Sequence, residues 1–191
     1  KKKSSKISKN KKKKKKIVFA SRISKEKGIL TLIKAFKESN LKIDILGDGP
    51  LLKKLKNKKY KNINFVGQKS PKVVFKNIRN AKFLIFPSEW YESMPMTIIE
   101  AFCAGTLVLA SNIGSIKSII QHKRNGILFE PSNHLDLLNK VNWILKNPKI
   151  CDQIVMNANK DFNNLYSDKN NYNQLIKIYN ETIKSKIKKK N

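Results

Sequence analysis

A strand, a loop, a helix and a second strand follow one another in the middle of the chain, and this unit constrains the fold most. The apolar run Ala81–Phe86 predicts a buried strand, and residues 106–110 predict the next one. Residues 95–104 between them predict a helix. Pro95 suits its first turn, where the N–H that proline lacks has no intrahelical partner, and Gly105 suits its C-cap. Strands that alternate with helices in this way indicate a parallel α/β sheet.

Two acids accompany the loop that follows residue 86. Glu92 lies in the loop and Glu100 in the helix, with seven residues between them. Open parallel sheets bind ligands outside the carboxyl ends of their strands, so we expect a ligand crevice at this loop. Helical N–H groups at Met96 and Thr97 are predicted to be free there, and such groups bind anions.

The surroundings of Glu100 bear on what these acids do. Glu100 is flanked by apolar residues, in the run Ile-Ile-Glu-Ala-Phe-Cys-Ala. An acid in such surroundings is costly unless a polar group meets it, and in a nucleotide site that group can be a ribose hydroxyl. The alternative interpretation makes Glu92 a solvated loop acid and Glu100 a helix-surface acid, which fits the apolar neighbours of Glu100 less well.

The rest of the chain extends the same alternation. Short apolar runs predict strands at residues 16–21, 41–46, 62–66 and 127–129. Helices are predicted at residues 29–39, 51–56, 70–79, 115–120, 131–145, 150–164 and 168–183. In the helix over 131–145, the predicted buried stripe is Leu135, Leu138, Val141 and Ile144 or Leu145. The predicted fold is a Rossmann-like parallel six-stranded sheet with helices on both faces and a helical C-terminus.

Arg22 and Lys27 lie in another loop between a predicted strand and a predicted helix, within the sequence SRISKEKG. Two cations beside a helix N-terminus suit a bound phosphate. Composition alone favours a different interpretation, in which both are ordinary surface bases of a basic protein.

Three motifs in order resemble a known family. PSEWYESMPMTIIEAFCAG is followed by VLASNIGSIKSII and then by NGILFEP. The series is similar to the C-terminal half of family-four retaining glycosyltransferases, which have the GT-B fold and a hallmark of Glu, seven residues and Glu. The resemblance runs from about Ile17 to about Tyr179. It implies transfer of a hexose-type sugar from a nucleotide-diphosphate sugar, with retention at the anomeric carbon.

The resemblance also implies roles for individual residues. Arg22, Lys27 and Glu92 would be the catalytic set: the two cations hold the donor diphosphate and Glu92 binds hydroxyls of the donor sugar. Donor binding would be completed by Glu100 on the ribose, by backbone around Met94, Pro95, Met96 and Thr97, and by Gly67 and Gln68 against the base. The family needs no metal or cofactor. This chain departs from it at Ser21, where glycine is usual, and at residues 115–118, which lack the usual acid.

Family members have two such domains, and this chain of 191 residues has the length of one. We therefore expect residues 16–183 to form a nucleotide-sugar-binding domain between a disordered tail at 1–15 and a basic tail at 184–191. We expect the N-terminal half, which contributes to the site of a saccharide or lipid-linked acceptor, to be missing from this sequence. In relatives the last helix packs on that half, so a stripe in 168–183 is predicted to be exposed: Tyr172, Leu175, Ile176 and Tyr179.

The composition leaves two other functions open. The formal net charge is +29, and the first sixteen and last eight residues hold sixteen of the 42 cationic residues. Such lysine runs attract anionic membrane surfaces or nucleic acids, although no nucleic-acid motif accompanies them. The first alternative to an enzyme is a catalytically incomplete nucleotide-binding module that keeps the fold without turnover, and the second, suggested by the lysines, is a basic surface-binding protein. Two distant cysteines, no signal peptide and no apolar span fit the cytoplasm, with attachment to a membrane as a further option.

Overall fold

The computed structural model describes residues 16–37 and 39–188, and within them six parallel strands form one sheet. The strands are β1 (Lys16–Ala20), β2 (Ile43–Leu46), β3 (Ile63–Gly67), β4 (Ala81–Phe86), β5 (Leu107–Ser111) and β6 (Ile127–Phe129). Their order across the sheet is β3-β2-β1-β4-β5-β6. The predicted six-stranded parallel sheet is confirmed. The predicted tail at residues 1–15 lies outside the described residues.

Helices connect the strands and continue beyond the last of them. They are α1 (Ile29–Lys37), α2 (Leu52–Lys56), α3 (Pro71–Asn80), α4 (Met96–Ala104), α5 (Ile116–Ile119), α6 (His134–Lys146), α7 (Pro148–Asp161) and α8 (Asp168–Lys188). A 3-10 turn at Lys25–Lys27 precedes α1, and a π-helical turn at Phe162–Tyr166 precedes α8. The helical C-terminus is therefore confirmed.

Two apolar cores lie on the two faces of the sheet. Because side chains alternate along a strand, Ile17 and Phe19 of β1 face one core and Val18 and Ala20 face the other. Helices α1 and α6 supply the first core, whereas α3, α4 and α5 supply the second. This three-layer arrangement confirms the prediction of helices on both faces.

The order of the strands reverses between β1 and β4, which lie side by side at the centre of the sheet. Chain connections leave these two strands in opposite directions, and open parallel sheets bind ligands at the carboxyl ends of such strands. The loop from β1 to α1 and the loop from β4 to α4 meet at this point. These are the two loops that carry most of the predicted site residues.

Helix α6 shows a different buried stripe from the predicted one. Leu137, Val141 and Ile144 are buried, whereas the predicted Leu135 is 60% exposed. The helix begins at His134, capped by the side chain of Asn133, so Leu135 lies in its first turn, on a face that the core does not cover. The prediction for Leu135 is therefore wrong, and the stripe starts two residues later.

A buried carboxylate fastens α7 to the loop before β6. Arg124 donates two hydrogen bonds to Asp161, of 2.6 and 2.9 Å, and the side-chain amide of buried Asn125 donates a third of 2.7 Å. The hydrogen bonds from Arg124, assisted by the amide of Asn125, lower the pKa of Asp161 below its usual value. Loss of this carboxylate leaves two donors without their acceptor.

Asp161→Ala is expected to destabilise the domain by about 2 kcal/mol at pH 7, the scale for a buried hydrogen-bonded group that loses its partner. Because the folded pKa of Asp161 lies below the value of about 3.9 for an exposed aspartate, its contribution is complete above that value. The contribution is lost as the pH falls through the folded pKa. Thermal unfolding of both proteins between pH 7 and pH 2.5 should show the Tm difference shrinking only below about pH 4. A difference that stays constant over this range would contradict an ionised Asp161.

Helix α8 extends from the body of the domain. Tyr172, Leu175, Ile176 and Tyr179 are between 38% and 64% exposed, so the predicted exposed stripe is confirmed. Within residues 16–37 and 39–188, no helix combines the length and the apolar character needed to cross a membrane.

Candidate functional site

The predicted site residues lie in loops at the carboxyl edge of the sheet. Arg22 and Lys27 lie between β1 and α1, and Glu92 lies between β4 and α4. Gly67 ends β3 and exposed Gln68 follows it. The fold therefore gathers at one edge residues that are far apart in the sequence.

Lys27 and Glu92 form an ion pair between the two central loops. The Lys27 ammonium lies 2.7 Å from Glu92 Oε1 and 2.9 Å from Oε2. The side chains of Lys27 and Glu92 are only 25% and 14% exposed. The Ser88 hydroxyl donates a further hydrogen bond of 2.6 Å to Glu92 Oε1, and the Ser115 hydroxyl donates to the backbone carbonyl of Glu92. The Glu92 carboxylate is thus held by donors from both central loops.

Backbone contacts hold the same two loops together. The carbonyl of Glu26 accepts a hydrogen bond from the Glu89 N–H at 2.9 Å, and it also lies 3.2 Å from the Ser88 hydroxyl oxygen. Thr31 on α1 donates its hydroxyl hydrogen to the Glu89 carboxylate. These contacts position the loop that carries Glu92 against the loop that carries Lys27.

Gly28 allows the two loops to approach this closely. It adopts φ 69°, and a Cβ at this position would lie 1.7 Å from the carbonyl oxygen of Pro87. A side chain cannot occupy that space, and the left-handed conformation also favours glycine. The glycine after Lys27 is therefore a requirement for the geometry of the site.

Both predicted cations act on one neighbouring carboxylate. The pKa of Glu26 is lowered, first by a hydrogen bond from the Ser24 hydroxyl, and also by the positive charges of Arg22 and Lys27. Arg22 itself is exposed. The first loop thus presents one half-buried cation, paired with Glu92, and one exposed cation at the edge of the sheet.

The start of α4 differs from the prediction of free helical N–H groups. The Met96 N–H donates to the Met94 carbonyl at 2.9 Å, across Pro95 with φ −77° and ψ 80°. This is an inverse γ-turn, so Pro95 precedes the helix and does not form its first residue. The predicted free N–H at Met96 is wrong for this reason, although Met94 and Met96 expose their side chains beside the loop.

Glu100 is half-buried on the second turn of α4. Ile98, Ile99, Ala101 and Phe102 around it in the sequence are buried. Residues one or two positions apart on a helix do not face each other, so the expectation of apolar surroundings for the Glu100 side chain stays a prediction, as does its proposed contact with a ribose.

Ser88, Glu89 and Thr31 are structural members of the site that the sequence analysis did not assign. All three belong to residue types that are common in any loop or helix. The one available signal was position, because Ser88 and Glu89 follow the central strand β4 almost directly. The contacts of Thr31 with Glu89 and of Ser88 with Glu26 span 58 and 62 residues and become visible only in the fold, whereas Ser88 and Glu92 are only four residues apart.

A hollow of about 440 Å³ lies beyond the carboxyl end of β6 and is separate from the ion pair. Its lining includes Asn112, His122, Leu128, Glu130, Asp136 and Lys140. Burial, together with the charges of Lys140 and Lys123, lowers the pKa of His122, whose Nδ1 accepts a hydrogen bond from the Leu128 N–H. These contacts explain His122 as a structural acceptor. Across the described part of the chain, no three or more His, Cys, Asp or Glu side chains are grouped to hold a metal ion.

Comparison with known families decides the identity of the domain. Residues 1–161 match the family described as Glycosyl transferases group 1. The chain belongs to this family. Its sheet, with a helical C-terminus, is the C-terminal type of domain of a GT-B glycosyltransferase, so both the family resemblance and the fold class are confirmed.

Relatives and solved structures of this family cover the domain well. An uncharacterized glycosyltransferase of Methanocaldococcus jannaschii is 30% identical in an alignment of 172 positions that covers 85% of this chain and 44% of the relative. The Anabaena protein HepE, solved in complex with UDP-glucose, has a TM-score of 0.79 at 20% identity over 87% of this chain and 49% of its own. The catalytic domain of cholesterol-alpha-glucosyltransferase from Helicobacter pylori has a TM-score of 0.69 at 26% identity over 80% of this chain and 98% of its own. This group 1 chain spans about half the length of the curated relatives it matches.

Proposed function

We propose that this domain is the donor-binding half of a retaining glycosyltransferase that transfers a hexose-type sugar from a nucleoside diphosphate sugar. The observation that carries the proposal is the ion pair between Lys27 and Glu92, which lies where the strand order reverses between β1 and β4. A cation suits the diphosphate and a carboxylate suits the hydroxyls of the sugar attached to it. UDP-glucose in the similarly folded HepE supports this class of donor.

Each predicted residue has a part in this proposal. Negative charge builds on the diphosphate as it departs, and Arg22 and Lys27 stabilise that charge. Glu92 accepts hydrogen bonds from the sugar and fixes its orientation. Glu100 binds the ribose, Gly67 and Gln68 border the base, and the remaining contacts come from residues 94–97. The cations provide the electrostatic stabilisation, so transfer is proposed to need no metal or other cofactor.

The acceptor is proposed to meet the donor in a cleft between this domain and an N-terminal half. A saccharide or a lipid is the proposed class of acceptor, and the cholesterol-alpha-glucosyltransferase among the similar structures supports a lipid. The net charge of +29 suits work in the cytoplasm at an anionic membrane surface. Trp90 and Tyr91, which are 66% and 75% exposed on the Glu92 loop, offer an aromatic rim beside the donor.

A nucleotide panel tests the proposed donor. Uridine, guanosine and adenosine diphosphates and their sugars are screened by thermal shift, with and without EDTA. A ligand at 100 times its Kd should stabilise the domain by about 2.7 kcal/mol, which raises Tm by about 5 to 10 °C for a chain of this size. The same shift is expected in EDTA. If no sugar nucleotide raises the Tm, the proposed function is wrong.

Controls separate donor binding from the two alternative functions. Non-specific binding of anions to a lysine-rich surface collapses with salt and survives Glu100→Ala, whereas donor binding weakens in Glu100→Ala at every salt concentration. Hydrolysis of the donor, or transfer after addition of an N-terminal half, distinguishes an enzyme from a nucleotide-binding module without turnover.

A further inference from the structure

Lys27 already has an anionic partner before any donor binds. Its ammonium contacts both carboxylate oxygens of Glu92, at 2.7 and 2.9 Å. A diphosphate that binds Lys27 must either share the ammonium with the Glu92 carboxylate or displace that carboxylate from it. Binding of any phosphate at Lys27 therefore costs the free energy of weakening this ion pair.

The structure also shows which hydrogen-bond donor Glu92 keeps when Lys27 binds a phosphate. The Glu92 side chain is 14% exposed, and the Ser88 hydroxyl at 2.6 Å remains as a donor to one of its oxygens. A carboxylate this buried that loses its cation is strongly disfavoured. A diphosphate bound close to the Glu92 carboxylate also repels it, because both groups are negatively charged.

We infer that Glu92 makes Lys27 selective for a diphosphate that carries a sugar over a bare nucleoside diphosphate. This inference rests on the proposed function. Sugar hydroxyls supply the carboxylate with hydrogen-bond donors in place of the ammonium, and the bare diphosphate supplies none. Only the sugar nucleotide thus compensates Glu92 for the loss of Lys27.

The same exchange assists release of the product. After transfer the sugar has left, the nucleoside diphosphate remains, and Glu92 again lacks a donor. When Lys27 pairs with Glu92 again, the affinity of the site for the nucleoside diphosphate falls. Glu92 would act as a specificity-determining residue through its negative charge, in addition to its hydrogen bonds to the sugar.

Substitution of Glu92 tests the inference in the intact chain. Calorimetry measures the Kd of three ligands. The first is inorganic pyrophosphate, which carries no base; the other two are the nucleoside diphosphate and the sugar nucleotide whose base the thermal-shift panel identifies. Glu92→Gln keeps the shape and removes the charge, so pyrophosphate and the nucleoside diphosphate should bind about tenfold more tightly, an effect of ~1.4 kcal/mol. The Kd of the sugar nucleotide should change by less than about threefold. Its weaker hydrogen bonds to the neutral amide are offset by the freed charge of Lys27.

Two further variants make the result decisive. Glu92→Met, of similar length and without an acceptor, should bind the bare diphosphate more tightly than the sugar nucleotide, and it replaces Glu92→Gln if that variant fails to fold. Glu181→Gln removes the same charge from the exposed α8 ion pair with Lys177 and should leave every Kd unchanged. An equal gain in Glu181→Gln would assign the effect to net charge and overturn the inference.

The outcomes separate this inference from the proposed function. If wild type binds a sugar nucleotide but Glu92→Gln and Glu92→Met bind pyrophosphate no better than wild type, the selectivity role is wrong and the donor site stands. If wild type binds no nucleotide sugar, both are overturned.

Discussion

Arg22→Ala is expected to weaken binding of the sugar nucleotide by about 10- to 100-fold, the equivalent of the 1.5–3 kcal/mol of a hydrogen bond to a charged group. Arg22 is exposed at the carboxyl edge of the sheet, where its charge already acts on Glu26. Its removal takes a cation from the diphosphate without opening the core. The Tm should therefore change by less than about 2 °C, as for most surface substitutions. Calorimetric titration and thermal unfolding of the same sample measure both quantities.

Lys25→Ala is the matched control for Arg22→Ala. Lys25 is an exposed cation of the same loop, three residues away, and has no proposed contact with the donor. Its loss lowers the net charge equally and should change the donor Kd by less than about twofold, the scale of a screened surface charge. Equal losses of affinity in the two variants would show that the loop attracts the donor only through its overall charge. A fall in Tm that matches the fall in affinity would make Arg22 a structural residue.

Gly28→Ala is expected to destabilise the domain by about 3 kcal/mol, from the left-handed backbone and from overpacking together. A methyl group at Gly28 would lie 1.7 Å from the Pro87 carbonyl oxygen, so the two central loops must move apart. For a domain of this size the Tm should fall by roughly 6 to 12 °C. Donor affinity should fall as well, because the same displacement separates Lys27 from Glu92. Denaturant unfolding and calorimetry provide the two measurements.

Gly105→Ala separates the two causes of that destabilisation. Gly105 has φ 64°, close to the φ of 69° at Gly28, but a Cβ there would meet no atom within 4 Å. Only the conformational cost of about 1 kcal/mol applies at Gly105. The excess cost of Gly28→Ala over Gly105→Ala measures the collision with Pro87. If the two variants are equally destabilised and bind the donor equally well, the close approach of the loops does not matter.

The fold was largely predictable because each strand carries its own local signal. Apart from exposed Lys82 near its start, the run Ala81–Phe86 is apolar on both faces, as is typical of a central parallel strand, and Gly105 marks the helix end that the structure shows. Once parallel strands alternate with helices, their carboxyl ends share an edge, so the meeting of Lys27 and Glu92 follows from topology. Periodicity was weaker in α6, where several neighbouring leucines fit more than one stripe and Leu135 was misplaced.

The contacts that fasten the site were not predictable from local patterns. The contacts of Ser88 with Glu26 and of Thr31 with Glu89 join the loop after β4 to the loop before α1 and to α1 itself, and none of these residues stands in a distinctive sequence. The inverse γ-turn at Pro95 depends on the conformation of the whole loop, because a proline before a helix suits either the cap or the first turn. The carboxylate of Asp161 was missed for the same reason, since Arg124 lies 37 residues away.

The central position of β1 has a consequence for synthesis on the ribosome. β1 is made before its two neighbours, β2 about 25 residues later and β4 about 60 residues later. Until β4 emerges, one backbone edge of an almost wholly apolar strand has no hydrogen-bonding partner, and such an edge invites pairing with other nascent chains. We expect elongation through residues 20–80 to be the interval in which this polypeptide most needs a chaperone.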